Sequence, residues 1–254
     1  MTVLDQQLER TIVIRARREI VFRYFTDTAR WSAWWGQGSA IDPMPGGRVH
    51  VRYPDGTEAD GEIVEIVPPE RIVFTYGYAS GTPIPPGASR VTIALEPHPE
   101  GTRVRLTHAF ADASVRDQHV QGWRYQLSVF TNVVANELHA NAAATVDAWF
   151  DAWANTDERS RLVALSAIAG QDVQFHDRFS AIDGLGELNA HIAGAQTFMH
   201  GVSMRRSGDV RHCQGVVLAD WKATRGDGTA LGSGTNVFML GADSKIAAVV
   251  GLWN

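Results

Sequence analysis

Cysteine is nearly missing from this chain: Cys213 stands alone, so no intrachain disulfide can form and no cysteine-based zinc site has its ligands. That usage fits a reducing compartment, and a cytoplasmic protein is the expectation. Lysine is scarce too, present only as Lys222 and Lys245, and no run of basic residues offers the phosphate-neutralising patch that nucleic-acid binding needs. With a net charge of −5, no nucleic-acid partner is expected. Long apolar runs are lacking as well. Met1–Arg10 has no signal-peptide core, and the longest apolar stretch, Ile246–Trp253, is too short to span a bilayer, so no membrane partner is expected. No Gly-x-Ser-x-Gly elbow occurs. Gly232-Ser233-Gly234 lacks the lysine and following helix of a phosphate loop, and Gly226-Asp227-Gly228 reads as a hairpin turn. His200, His212 and Cys213 have no metal-ligand spacing, so neither metal nor cofactor is expected.

What is present is ordinary globular material: 254 residues, 44% hydrophobic and 20% charged, with mean hydropathy −0.14. The pattern along the chain divides it in two. A strand is expected over Arg10–Ala16, then short helices over Arg18–Asp27 and Thr28–Trp35, stopped by Gly36 and Gly38. Period-two alternation follows in Val49/Val51/Tyr53, Ile72/Phe74/Tyr76, Val91/Ile93/Leu95 and Val104/Leu106/His108, separated by Pro- and Gly-rich turns, which describes an antiparallel meander. From Ser114 to Glu137 the period becomes helical, with Val120, Trp123, Leu127, Phe130 and Val134 on one stripe that must lie on the sheet.

A second pattern begins at once, with helices expected over Ala142–Asn155 and Arg159–Ile168 and a strand over Asp172–His176. A helix over Leu185–Met199 follows, then strands near Val202–His212, Val216–Thr224, Ala230–Leu240 and Lys245–Trp253. No Gly/Ser- or Pro-rich linker separates the halves, and domains of residues 1–138 and 139–254 are expected. The fold class is α+β throughout.

In the first half, Thr11–Phe25, Trp31-Ser32-Ala33-Trp34-Trp35, Gly46-Gly47, Gly61-Glu62-Ile63, Pro68–Phe74, Gly101-Thr102, Leu106-Thr107-His108 and Gly122-Trp123 occur in a telling order. By these residues 10–137 resemble the START-like, helix-grip (SRPBCC) superfamily, in the branch named after homologues of the heat-shock ATPase activator. The resemblance implies a seven-stranded antiparallel sheet around a long helix, enclosing a cavity that takes a small hydrophobic ligand; it does not imply chaperone activation. The ligand-binding candidates are Trp34, Trp35, Phe74, His108, Trp123 and Leu127. His108 is either a pocket acid/base or a core histidine satisfied by a backbone carbonyl, and Trp34 and Trp35 either line a mouth or pack the second helix.

In the second half the quoted residues are Trp149-Phe150-Asp151, Val173–Asp177, Ile182-Asp183-Gly184 and Val249–Trp253. They resemble the SnoaL-like branch of the cone-shaped α+β barrel shared by nuclear transport factor two and ketosteroid isomerase. That likeness implies a conical pocket, and a homodimer through the open sheet face is an expectation of the same fold. It places Asp177 where the isomerase-like enzymes keep a proton-shuttling carboxylate, Asn236 where an oxyanion donor sits, and Trp149 where the isomerase has a tyrosine. An amide can donate without a raised pKa, and an indole N–H can donate too. His191 and Trp253 are further ligand-binding candidates.

Alternatives stand beside each. Asp177 is also a plausible turn residue, and His176 beside it must face the other way on a strand. Asp220 is either a second pocket carboxylate or an ion-pair partner of Lys222 or an arginine, and His191 a surface or core histidine. Two functions follow: a polyketide cyclase- or isomerase-like protein in which Asp177 moves a proton on a small apolar carbonyl compound, or a non-catalytic binder of a hydrophobic metabolite.

Overall fold

The computed structural model describes residues 3–254; of the segment Met1–Arg10, Met1 and Thr2 lie outside the described residues. The chain forms two compact α+β units that divide between Val134 and Ala135.

The first unit runs β1 (Gln6–Ile14), α1 (Arg18–Phe22), a 3-10 turn (Arg23–Phe25), α2 (Thr28–Trp35), β2 (Ala40–Ile41), β3 (Arg48–Arg52), β4 (Glu58–Val67), β5 (Arg71–Tyr78), β6 (Ser89–His98) and β7 (Gly101–Phe110). Helix α3 (Ala113–Leu138) follows. Helix α2 starts because the Asp27 carboxylate accepts the Arg30 N–H at 2.9 Å. It stops at Gly36, whose φ of 137° and 2.3 Å clearance between a would-be Cβ and the Arg52 carbonyl oxygen admit glycine alone. The seven strands form one antiparallel sheet in the order β1-β7-β6-β5-β4-β3-β2. Alternation puts Val91, Ile93, Leu95, Val104 and Leu106 inward, and α3 covers them with Trp123, Leu127, Phe130 and Val134. Around α2 the core is aromatic: the Trp34 ring lies 5.2 Å from Trp31 and 4.7 Å from Phe130.

The division falls inside the last turn of α3 because that turn packs with the second unit. Ser244 donates its hydroxyl to the Leu138 carbonyl at 3.1 Å, and the His139 ring stands 5.6 Å from His212. The second unit continues with α4 (Ala142–Ala154), α5 (Glu158–Ile168), β8 (Ala169–Asp177), β9 (Ser180–Asp183), α6 (Leu185–Phe198), β10 (Val202–Arg206), β11 (Arg211–Cys213), β12 (Val216–Arg225), β13 (Ala230–Leu240) and β14 (Ile246–Trp253). Its sheet is ordered β10-β12-β13-β14-β8-β9, with β11 beside β12. Every pairing is antiparallel except β14 with β8, which is parallel. Val146, Trp149, Phe150, Leu165, Leu188 and Ile192 of the helices pack on Val217, Ala219, Trp221, Phe238 and Val249 of the sheet.

Two expectations need correction, and the alternatives for Asp220 are decided in favour of the ion pair. The sheet is not a closed barrel, because the edge strands β9 and β10 do not pair; a cavity that Ser180 and Met204 both line lies between them. The strand expected over Val202–His212 is two strands, parted where Gly208 takes φ 81°. Asp220 is no pocket residue: the inward phase of β12 is Val217, Ala219, Trp221 and Ala223, so Asp220 faces solvent. There it accepts the Thr235 hydroxyl at 2.5 Å and pairs with Arg211 rather than Lys222. Among the described residues no helix is long and apolar enough to cross a membrane.

Candidate functional site

In the second unit Asp177 is the last residue of β8, and Arg178–Phe179 turn the chain so that Asp177 pairs with Ser180 of β9. Its Oδ1 accepts the Phe179 backbone N–H at 2.8 Å, the local bond that makes aspartate a turn residue. Its Oδ2 accepts the Trp253 indole N–H at 3.2 Å. A carboxylate offers about four lone-pair sites, so these two bonds orient it and still leave it able to take a proton. His176 is exposed on the opposite face, as strand alternation requires.

Asn236 reaches the same cavity from β13. The Trp221 indole N–H donates to its Oδ1 at 3.1 Å, and since an indole can only donate, the amide oxygen must face Trp221 and the Nδ2 must turn away. Trp221 can lie that close because residue 234 is glycine: a Cβ there would stand 2.6 Å from the indole ring. Strand β14 lies between the two functional side chains, pairing Asn236 with Gly251 on one side and His176 with Val250 on the other. A Cβ on Gly251 would come within 3.2 Å of Asp177 Cβ and 3.4 Å of Asn236 Oδ1. The absent side chain therefore leaves open the space that acid and amide share.

The cavity they line measures about 430 Å³. Trp149, Trp153, Phe175, Trp221 and Trp253 form most of its wall, with Asp177, Asn236, Ser180 and His191 as its polar positions. Among the described residues neither the Trp149 indole nor the Asn236 Nδ2 has a protein acceptor, and neither is sealed off as Trp153 Nε1 is. Those two donors therefore open onto the cavity. The His191 ring stands 5.9 Å from both Trp153 and Phe175, and its Nε2 is 3.3 Å from the Ser180 hydroxyl. Phe179 and Phe198 are exposed at the mouth, and the Arg178 guanidinium sits 4.6 Å over the Phe179 ring and 5.4 Å over Trp253.

The first unit encloses a separate cavity of about 380 Å³, lined by Trp34, Trp35, His108 and Trp123. Trp34 and Trp35 both pack the core and wall the cavity. Phe74 and Leu127 do not line it. Phe74 packs edge-on against Trp31, 5.9 Å away, and Leu127 is buried on the α3 stripe. His108 is fully buried and satisfied by side chains rather than by a backbone carbonyl. Trp123 donates its indole N–H to Nδ1 at 2.9 Å, so Nδ1 is unprotonated. The Ser89 hydroxyl donates to the Tyr76 carbonyl at 2.8 Å and so accepts from His108 Nε2, also at 2.8 Å. Burial, with His119 nearby, holds His108 well below the ordinary histidine range, and both ring nitrogens are committed. It is a neutral core group.

Sequence reasoning missed Gly251, Trp221, His119 and Tyr78. Only Gly251 left a signal, since a lone glycine in an apolar strand marks a close approach. Among the described residues no three His, Cys, Asp or Glu side chains gather as a metal site would require.

Residues 15–135 match the family model "Activator of Hsp90 ATPase homolog 1-like protein". Similar solved structures include a SnoaL-like family protein from Agrobacterium tumefaciens, 22% identical, covering 46% of this chain and 98% of that one, with TM-score 0.43. CalU16 from Micromonospora echinospora is 24% identical and covers 52% of this chain and 76% of its own, with TM-score 0.41. Ms6760 from Mycobacterium smegmatis is 23% identical over 53% of this chain and 91% of its own, with TM-score 0.43. No curated protein matches the sequence. The architecture is α+β in both halves: a seven-stranded antiparallel sheet with a long helix, then an open mixed sheet with three helices.

Proposed function

We propose that the second unit catalyses proton transfer next to the carbonyl of a small apolar compound, in the manner of an isomerase or cyclase. Asp177 removes a proton from the carbon beside the carbonyl. The carbonyl oxygen, gaining negative charge as the enolate forms, accepts from Asn236 Nδ2 and the Trp149 indole; the proton then returns to the same or a conjugated carbon. The observation that carries this reading is the placement of Asp177 and Asn236 on either side of Gly251 in one apolar cavity, with the amide oriented by Trp221 to donate. Donors fixed in place before the charge develops are what lower such a barrier.

The test uses 2-tetralone, an apolar ketone with exchangeable α-protons, followed by proton NMR in deuterated water. The wild-type chain should speed α-exchange, Asp177→Asn should lose roughly 10²-fold or more of that rate, and Asn236→Ala about 10²-fold. Full exchange activity in Asp177→Asn would end the assignment. A second reading, in which the cavity only binds an apolar metabolite, is favoured by the bond from the Phe179 N–H to Asp177, a purely structural use of the carboxylate. A folded protein that binds 2-tetralone without exchanging its protons would select that reading.

A further inference from the structure

The first unit's cavity has a polar end that the catalytic reading leaves unused. His119, in the second turn of α3, is 8% exposed, and its Nδ1 lies 2.8 Å from the Val115 carbonyl one turn earlier. A carbonyl can only accept, so Nδ1 carries the proton and the neutral ring presents the Nε2 lone pair. That nitrogen is 3.4 Å from the Tyr78 hydroxyl, longer than a strong bond of this kind, so both groups keep capacity for a guest. Beside them the Tyr53 and Tyr76 hydroxyls stand 2.8 Å apart. One bond between these two hydroxyls uses one proton, and Tyr76 also interacts with the Tyr78 hydroxyl, so the three phenols form one cluster. His108 offers nothing further, both of its nitrogens being engaged by Trp123 and Ser89.

Among the described residues no lysine, arginine, aspartate or glutamate lines this cavity, so a charged guest would be stripped of water with no counter-charge. Burial lowers the pKa of His119 and raises those of Tyr53 and Tyr76, keeping all three neutral at pH 7. The site thus offers one acceptor nitrogen, phenolic donors and aromatic walls of Trp35 and Trp123. A hydroxyl meets both needs with one atom, donating to the nitrogen and accepting from a phenol at once.

We propose that the first unit binds an uncharged, hydroxyl-bearing aromatic molecule, its hydroxyl donating to His119 Nε2 and accepting from Tyr78. This site is independent of the chemistry assigned to Asp177.

Titration calorimetry on the full chain with 2-naphthol and its methyl ether, 2-methoxynaphthalene, tests it. Wild type should bind the naphthol roughly tenfold more tightly than the ether, the worth of one well-made hydrogen bond. His119→Phe should erase the preference, Tyr78→Phe should reduce it about threefold, and Asp177→Asn should leave it unchanged. Absence of a preference in wild type, its survival in His119→Phe, or its loss in Asp177→Asn would each overturn the proposal. Should His119→Phe fail to fold, Tyr78→Phe removes one hydroxyl and decides the matter: an unchanged preference refutes the assignment.

Discussion

The two cavities are close in size, about 380 and 430 Å³, and both are walled by tryptophan, yet they treat ionisable groups in opposite ways. In the first, the histidine sits in mid-sheet on β7, out of reach of water, and is held neutral with both nitrogens committed. In the second, the carboxylate stands at the end of β8, half-buried, where a turn N–H and an indole N–H support it. Backbone donors are free to support a carboxyl group at a strand end; in the middle of a sheet they are spent on the ladder. Similar aromatic boxes thus serve different chemistry according to where along a strand the titratable residue falls.

The sharpest way to break that contrast is Gly251→Ala. The backbone at residue 251 tolerates alanine, and the new methyl would stand 3.2 Å from Asp177 Cβ and 3.4 Å from Asn236 Oδ1. Exchange of 2-tetralone protons should fall roughly 10²-fold, since displacing reacting groups by about 1 Å costs that much, while naphthol binding stays as it was. Equal loss of both would mean a general loss of structure.

Next in size is the buried cation of the second unit. Arg161 is fully buried and donates to Asn189 Oδ1 at 2.8 Å, to the Asn155 carbonyl at 2.9 Å and to the Asn189 carbonyl at 3.1 Å, joining α5 to α6 and the end of α4. Arg161→Met removes all three bonds and leaves the buried Asn189 Oδ1 unpaired, while the Asn155 carbonyl keeps the Gln196 amide; it should cost about 3 kcal/mol, read by urea denaturation. The unfolding should be confined to amides of residues 135–254 in hydrogen exchange.

The smallest effect is a pH dependence, greater in the first unit, which holds two histidines with lowered pKa values, than in the second, which holds His212. His108 and His119 have folded pKa values below the ordinary 6.5, both through burial. Below pH 6.5 the unfolded chain takes up protons that the folded one refuses, so stability is full above that pH and falls as acid approaches the lowered folded values. The slope is at most about 1.4 kcal/mol per pH unit for each histidine. Denaturation at pH 7.5 and 5.5 should weaken the first unit more, and His108→Phe should flatten the difference; a flat profile in wild type would contradict the neutral assignment of His108.

The helices and most strands were legible in the sequence, because periodicity is written locally: Val91, Ile93 and Leu95 declare a strand wherever they occur. Strands β2, β4 and β9 were not: β2 and β9 have too few residues to carry a pattern, and the inward positions at the start of β4 are Ala59 and Gly61, too small to declare a period. At the site, Asp177 and Asn236 stood out through resemblance alone, and the structure puts both on one cavity. Phe74 and Leu127 were misplaced because an inward phase tells core from surface but not core from cavity wall. His119 stayed invisible, since its value lies in contacts with Val115, one turn away, and with Tyr78 on another strand.

One further consequence follows from the parallel strand β14. It is made after β8 and β13, yet lies between them, touching the neighbour of Asp177 on one side and Asn236 on the other. During synthesis, acid and amide therefore have no strand between them to set their spacing until β14 has been made. The growing chain carries the parts of a reaction centre for some time before it possesses one, and the half-made cavity cannot act on whatever it meets.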